Sequence, residues 1–534
     1  MNRRVFLAGI LFIAILGLNG VVFSASVPDY GGRIVEAHQA EPILLNPILI
    51  VDKPSYDVCS LIYSSLFRWN DDGELEPDLV EKYVLSSSEL TIYLKKNVKW
   101  QDGTPLTAWD VKFTIDEIMN PANASALASD LSIIDRVEVV SDYVLKFYLK
   151  KPTPVILSKL TFGILPRKFW SGERLRDSDL NRSPIGSGPY IFSVWKSGQY
   201  IKLYANPRYY GGEPYITKYY YAIIPDQTVA YFKFLKGEVD VAYLKNEDFE
   251  QLKNRLKTEP EYCHLAECLD QGYDYLGFNL RNPLLSDVRI RKAIAMAINV
   301  DEVIKTIYGG YADRATGPFI VGSKWLDPDV KGYRFNPEGA KRLLQEAGFV
   351  DRDGDGIREG KNGSLRFELI LNQGNWRRYM TAVLLQRQLA KVGIDVQIRM
   401  LEWGVFVDFV KKGRFDMVLA GWELTPEPDD IYSIWHSSCI PDGSGMGGNN
   451  FLAYMNPEVD KLLEEGRYEM DESKRVQIYR EIHKILVNDV PCVFLISPHK
   501  LIAVSSRIRG IKVGRYGVRG SLAKWYIPQH LQVR

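Results

Sequence analysis

Between residues 367 and 422 the chain alternates three short apolar runs with two stretches whose apolar residues recur at helical spacing. The runs cover 367–373, 394–401 and 415–422. The helical stretches are marked by Leu384, Leu385, Leu389 and Val392, then by Val405, Phe406, Phe409 and Val410. This order predicts β-α-β-α-β, with Gly393 and Gly413 where helix ends commonly take a left-handed residue. Such units build parallel sheets, and open α/β sheets bind ligands at the carboxyl ends of their strands. The third run leads into Trp422-Glu423-Leu424-Thr425-Pro426-Glu427-Pro428-Asp429-Asp430, a polar, Pro-stiffened loop expected to form one wall of a ligand site.

Upstream, strands are predicted at 33–38, 90–94 and 98–100, and a helix at 55–66 with Cys59, Ile62, Tyr63 and Leu66 on one side. Thr107 caps a helix with Asp110 three residues on, close to a capping box. Two alternating segments, 137–140 and 143–149, flank the turn Ser141-Asp142 and complete a mostly antiparallel unit. The Gly/Pro cluster Ser183-Pro184-Ile185-Gly186-Ser187-Gly188-Pro189 marks a first domain crossing, and the segment 262–275 a second. Strands at 190–195, 200–205, 218–224 and 239–243 lie between them, with a helix at 226–235. Helices follow at 287–307, after the starts Asn336-Pro337 and Asn456-Pro457, and at 471–488. A buried strand at 493–496 precedes a strand-like tail, 501–534, expected to return to the first domain. The expected division is one lobe from 27–66, 186–272 and 499–534, an extra subdomain from 67–185, and a second lobe from 273–498.

At 534 residues the chain exceeds one ordinary core, and 46% hydrophobic with 25% charged residues is a globular balance. Residues 1–26 read as a secretory signal peptide: Arg3 and Arg4, an apolar run from Val5 to Leu18, then Ser24, Ala25 and Ser26. Export to the periplasm or another extracytoplasmic space follows, with no cysteine near the cleavage site to be lipidated. Loss of the two arginines takes the formal charge from +1 to −1, which argues against nucleic acid as a partner. Five cysteines, Cys59, Cys263, Cys268, Cys439 and Cys492, allow two disulfides at most; the spacing of Cys263 and Cys268 permits a small closed loop.

Asp351, Asp353, Asp355 and Glu359, with Gly356 between them, follow the oxygen spacing of a calcium loop, although Asn362 stands where a bidentate Glu closes that pattern. A structural calcium and a tight acidic turn are the two readings; no cofactor is required otherwise. Gly443-Ser444-Gly445-Met446-Gly447-Gly448 matches a nucleotide-loop spacing without the flanking strand and helix, and reads as a flexible loop. No nucleophile elbow, zinc helix or P-loop is present.

Four segments together resemble one family: 98–114, beginning Val98-Lys99-Trp100-Gln101-Asp102-Gly103-Thr104-Pro105; Gly186-Ser187-Gly188-Pro189-Tyr190; Asp287-Val288-Arg289-Ile290-Arg291-Lys292-Ala293-Ile294; and Tyr454-Met455-Asn456-Pro457-Glu458-Val459-Asp460. The chain is similar, over nearly its whole mature length, to the extracytoplasmic solute-binding proteins of ABC importers in the oligopeptide, dipeptide and nickel group, family 5. The resemblance implies an α/β fold of two lobes (a type II periplasmic binding protein with an additional subdomain) joined by two crossing strands. It implies a monomer that delivers its solute to membrane permease subunits, and no catalysis. In peptide-binding members an Asp three residues after the strand-end Trp pairs with the ligand ammonium; that position here is Thr425. An oligopeptide is the expected solute, an oligosaccharide the alternative, and a secreted hydrolase the rival of another class. Trp422 and Trp403 are expected to give apolar contact and Glu423 or Asp429 to orient a polar group. Asn279, Tyr275 and Asn450 are expected at the rim.

Overall fold

The computed structural model describes residues 28–443 and 448–532. The leader expected at 1–26 and the centre of the Gly-rich loop lie outside the described residues. Three sheets set the architecture. A seven-stranded sheet runs in the order Cys263–Cys268, Lys500–Ser505, Val241–Tyr243, Arg33–His38, Lys218–Ile223, Tyr200–Ala205, Tyr190–Lys196. A six-stranded sheet runs Ala312–Arg314, Cys492–Pro498, Gly272–Phe278, Met417–Glu423, Arg366–Asn372, Asp395–Leu401. A four-stranded antiparallel sheet is formed by Val80–Leu85, Glu89–Leu94, Val144–Leu149 and Ile134–Ser141.

The β-α-β-α-β unit forms as its periodicity requires. Arg366–Asn372 pairs in parallel with both Asp395–Leu401 and Met417–Glu423, so the chain steps outward to one neighbour and then back across to the other. Right-handed crossovers in opposite directions place their helices on opposite faces. Accordingly, Trp376–Ala390 buries Ala382, Leu385 and Leu389 in one core, and Trp403–Lys411 buries Phe406 and Val410 in the other. The reversal leaves a crevice at the carboxyl ends of these strands, where Asn372, Leu401 and Glu423 lie. Gly393 and Gly413 both take positive φ, 85° and 64°, closing the two helices.

Two strands cross between the large sheets. One passes from Cys263–Cys268 to Gly272–Phe278 and the other from Cys492–Pro498 to Lys500–Ser505, and they lie side by side, Cys268 opposite Lys500 and Asp274 opposite Ile496. The crossing expected near Gly186 is therefore corrected: the second crossing is at His499. The Gly/Pro cluster instead returns the chain from the four-stranded sheet to Tyr190–Lys196. Its glycines serve close packing, since Gly188 N donates to Ile62 O at 2.8 Å and a Cβ on Gly186 would run into the same carbonyl. The four-stranded unit shares one hydrophobic core with the seven-stranded sheet, Leu90, Ile92 and Phe147 joining Ile201, Leu203 and Tyr219. These two units are one body. The six-stranded lobe hangs from it by two strands.

Smaller expectations were altered. Residues 98–100 form only an isolated bridge, Lys99 to Pro105, and beyond Ser505 the tail folds as turns and short 3₁₀ segments. All five cysteines are free and buried. Cys263 and Cys268 end one extended strand, about 16 Å apart at strand rise, far beyond disulfide reach. Burial pushes each of their thiols up to about 11.

Candidate functional site

Trp422 stands one residue from the end of its strand, half-buried, its ring stacked on Phe451 with centroids 5.6 Å apart and planes 17° from parallel. Trp403 opens the helix after Asp395–Leu401, and its indole N–H donates to Asp52 Oδ2 at 3.4 Å. Asp52 caps the helix Lys53–Ile62 of the other lobe, so this contact spans the crevice. Arg377 spans it as well, donating to Leu244 O at 3.2 Å. The lobes are closed upon each other.

Glu423 faces the same space. Its carboxylate lies 3.5 Å from Lys53 and 3.4 Å from Lys500, and Lys500 also pairs with Asp270 at 3.1 Å. From Lys53 the charges alternate into the first lobe: Asp57 at 2.5 Å, Arg519 2.8 Å beyond it, then Glu36 at 3.6 Å. Tyr219 donates to Glu36 at 2.6 Å and His38 lies 3.4 Å away. Burial alone would raise the Glu36 carboxyl, but Arg519, His38 and Tyr219 outweigh it and hold it well below the usual range. Lys53 is 44% exposed, yet burial opposes its charge and Asp57 and Glu423 must restore it. Tyr56 is 52% exposed, yet burial raises its hydroxyl. Lys53 on the first lobe and Glu423 on the second thus meet across the crevice.

Other expected site residues are committed elsewhere. Asp429 is fully buried and held by Arg467 at 2.9 Å and Lys159 at 3.0 Å; against burial, these two cations keep its carboxyl below the usual range. Lys159, from the four-stranded unit's side, also meets Asp130 and Asp430 at 3.3 Å each, and Arg467 donates to Ser129 O at 3.0 Å. Asp429 thus joins the extra subdomain to the second lobe and does not face a solute. Thr425 gives its N–H and its hydroxyl to Asp430, at 2.8 and 2.6 Å. Asn279 is buried and ties down the helix end at Gly413 and Phe415, donating to both carbonyls at 3.0 and 2.8 Å. Asn450, also buried, donates to Tyr454 O at 2.8 Å and accepts from Tyr454 N at 3.0 Å. Tyr275 is buried in the sheet against Tyr273. Satisfied buried amides of this kind fix backbone and have no group left for a ligand.

A cavity of about 260 Å³ continues from this wall, bounded by the segments 319–325 and 424–431 of the second lobe and by Arg515 and Tyr516 of the tail. On the outer surface, Asp351, Asp353, Asp355 and Glu359 bring their oxygens within 4.8 Å of one another. The same carboxylates accept loop N–H groups, Asp351 from Gly354 at 2.7 Å and Glu359 from Arg352 at 3.1 Å, and Arg366 pairs with Asp355 at 2.6 Å.

Two lobes on a two-strand hinge, closed over a wet, charge-lined crevice walled by tryptophan, define a solute receptor. The family model described as bacterial extracellular solute-binding proteins, family 5 Middle, matches residues 74–443. The chain is similar to the oligopeptide-binding protein AppA of Bacillus subtilis (strain 168), 31% identical over 521 residues, covering 95% of this chain and 93% of that protein. It is 26% identical to the dipeptide-binding protein of Escherichia coli (strain K12) over 94% of this chain and 96% of that protein. Among solved structures it is similar to Bacillus subtilis AppA in complex with a nonapeptide, with TM-score 0.89, 30% identity, and 94% and 100% of the two chains covered. NikZ from Campylobacter jejuni in complex with Ni(L-His) gives a TM-score of 0.83 at 28% identity, over 94% and 100%. This chain belongs to the family 5 bacterial extracellular solute-binding proteins.

Proposed function

We propose that the protein is the substrate-binding receptor of an ABC importer and captures an oligopeptide between its lobes, without catalysis, for delivery to membrane permease subunits. The observation behind the reading is the crevice itself. It has a Trp422 wall, charges of both signs within reach of solvent, and a hinge at 269–271 and 499 that lets ligand enter. A peptide offers an ammonium, a carboxylate and apolar side chains, and this lining has counterparts for each. The AppA and dipeptide-binding relatives bear peptide names, in keeping with that choice. Glu423 takes the role of the acid that Thr425 does not supply. The chain would be exported through cleavage of its leader and work as a monomer; no helix among the described residues is long and apolar enough to cross a membrane.

The test is thermal unfolding with peptides of graded length and, in parallel, with oligosaccharides. A peptide at a hundredfold its Kd stabilises by about 2.7 kcal/mol. Stabilisation by oligosaccharides and by no peptide refutes the reading. A second proposal concerns the loop of Asp351, Asp353, Asp355 and Glu359, which takes calcium in a structural role, supported by the convergence of its oxygens within 4.8 Å. It predicts a calcium-dependent rise in melting temperature that Asp353→Asn abolishes.

A further inference from the structure

The cavity between the segments 319–325 and 424–431 and the tail has an apolar floor and a charged mouth. Phe319, Ile320, Trp325, Leu424 and Ile431 line it, and all five are buried. At about 260 Å³ it is smaller than the roughly 300–1,000 Å³ that encloses a whole ligand, so it suits one part of a longer molecule.

The charged groups around it differ in one respect. Lys324 pairs with Glu472, Glu427 with Arg475, and Asp430 with Lys159. The Arg515 guanidinium has no hydrogen bond or ion pair with any described residue. Its main chain is nevertheless fixed from two sides. Arg515 N donates to Asp72 Oδ1 at 3.0 Å, and Arg515 O accepts from Leu269 at the hinge at 2.9 Å. The next residue, Tyr516, donates to Asp71 O at 2.8 Å, and Gly520 N donates to Asp71 Oδ2 at 2.6 Å. The guanidinium lies over the Tyr516 ring, 5.2 Å from its centroid, and Nη2 is 4.0 Å from where a Cβ on Gly322 would stand. Gly322 belongs to the second lobe and Arg515 to the tail that follows the first. Closure therefore brings an anchored, uncommitted guanidinium to the mouth of an apolar cavity.

Guanidinium is the side chain best matched to a planar carboxylate, which it binds through two parallel hydrogen bonds. An apolar cavity directly beneath it selects a carboxylate attached to a bulky apolar group. We propose that this cavity is the subsite for the C-terminal residue of the captured peptide: the α-carboxylate on Arg515, and a large apolar side chain packed on Trp325, Ile320 and Leu424. The inference rests on the peptide reading above. It adds a preference for free-acid peptides ending in an aromatic or branched aliphatic residue. Trp325 is held for this role by its indole N–H, which donates to Pro426 O at 3.2 Å.

Titration calorimetry with Ala-Ala-Ala-Phe, its C-terminal amide and Ala-Ala-Ala-Gly tests the proposal on the full-length mature protein. The wild type is expected to favour the acid over the amide by about tenfold or more, and Phe over Gly at the last position by a similar factor. Arg515→Met retains the exposed aliphatic stem and should bring the acid-to-amide ratio close to one. Ile320→Trp fills the floor and should erase the preference for Phe while Ala-Ala-Ala-Gly still binds. An acid-to-amide ratio unchanged in Arg515→Met overturns the subsite even where Ile320→Trp fails to fold. A wild type that binds none of the peptides overturns the peptide reading itself, whereas one that binds all three equally overturns the subsite alone.

Discussion

The charge cluster around Asp429 and the one around Glu423 both join the two lobes, but only in the second are the central charges open to solvent. Asp429, Lys159 and Arg467 are 0–2% exposed, whereas Lys53 and Glu423 are 44% and 35% exposed. In the dry cluster each charge has lost its hydration and depends on its partners; removing one member leaves the others stranded. In the wet cluster water can replace either partner of the Lys53–Glu423 pair, so that pair holds little net energy and exchanges readily. The dry cluster thus defines the closed geometry between the extra subdomain and the second lobe. In the proposed function the wet cluster is the one that trades partners with a solute, a ligand cation taking the place of Lys53 beside Glu423.

The largest effect is expected from breaking the dry side. Asp429→Asn removes the anion between Lys159 and Arg467 and should lower the unfolding free energy by about 3–5 kcal/mol, measured by denaturant titration. A change under about 0.5 kcal/mol would mean that water already reaches the cluster. Next comes Trp422→Ala on the wet side, which should weaken peptide binding by about 1.5–3 kcal/mol and leave the melting temperature near that of the wild type. Unchanged affinity removes Trp422 from the site.

The two sides also differ in their response to pH. The Asp429 carboxyl is held below its usual range, so the stability it confers is complete above the unfolded value of about 4 and is lost as pH falls from there toward the folded value. The stability gap between wild type and Asp429→Asn should be constant above about pH 4 and narrow below it. A gap that widens in acid contradicts the assignment. The smallest effect belongs to Glu423→Gln, which should change stability by less than about 1 kcal/mol while altering peptide affinity and its dependence on salt.

The contrast also explains which parts of the molecule the chain disclosed. The central strand Arg366–Asn372 leaves a nearly continuous apolar run, the edge strand Asp395–Leu401 an alternating one, and the helices between strands a 3.6-residue repeat, so the segment from Phe367 to Trp422 was legible down to the glycines that close its helices. Strands 33–38 and 200–205 were placed to the residue for a similar reason. The return to the first lobe at His499 was legible as a boundary, because Ser497-Pro498-His499-Lys500 interrupts two apolar runs, whereas the glycines at 186 and 188 read as a crossing and instead serve close packing on Ile62. Asp429, Asn279 and Asn450 were misassigned because a polar residue at a strand end or in a loop looks the same whether it faces a ligand or a backbone carbonyl. Lys159, Arg467, Arg515 and Arg519 had no local signal at all. Their partners are far away in the chain, and only the fold brings them together.

Native mass spectrometry of gently purified mature protein tests the central claim most directly, because a solute closed between two lobes survives purification and is weighed with its receptor. The account predicts a set of added masses that fragment as peptides and vanish in Trp422→Ala. A ladder of hexose increments, retained in that variant, would contradict it.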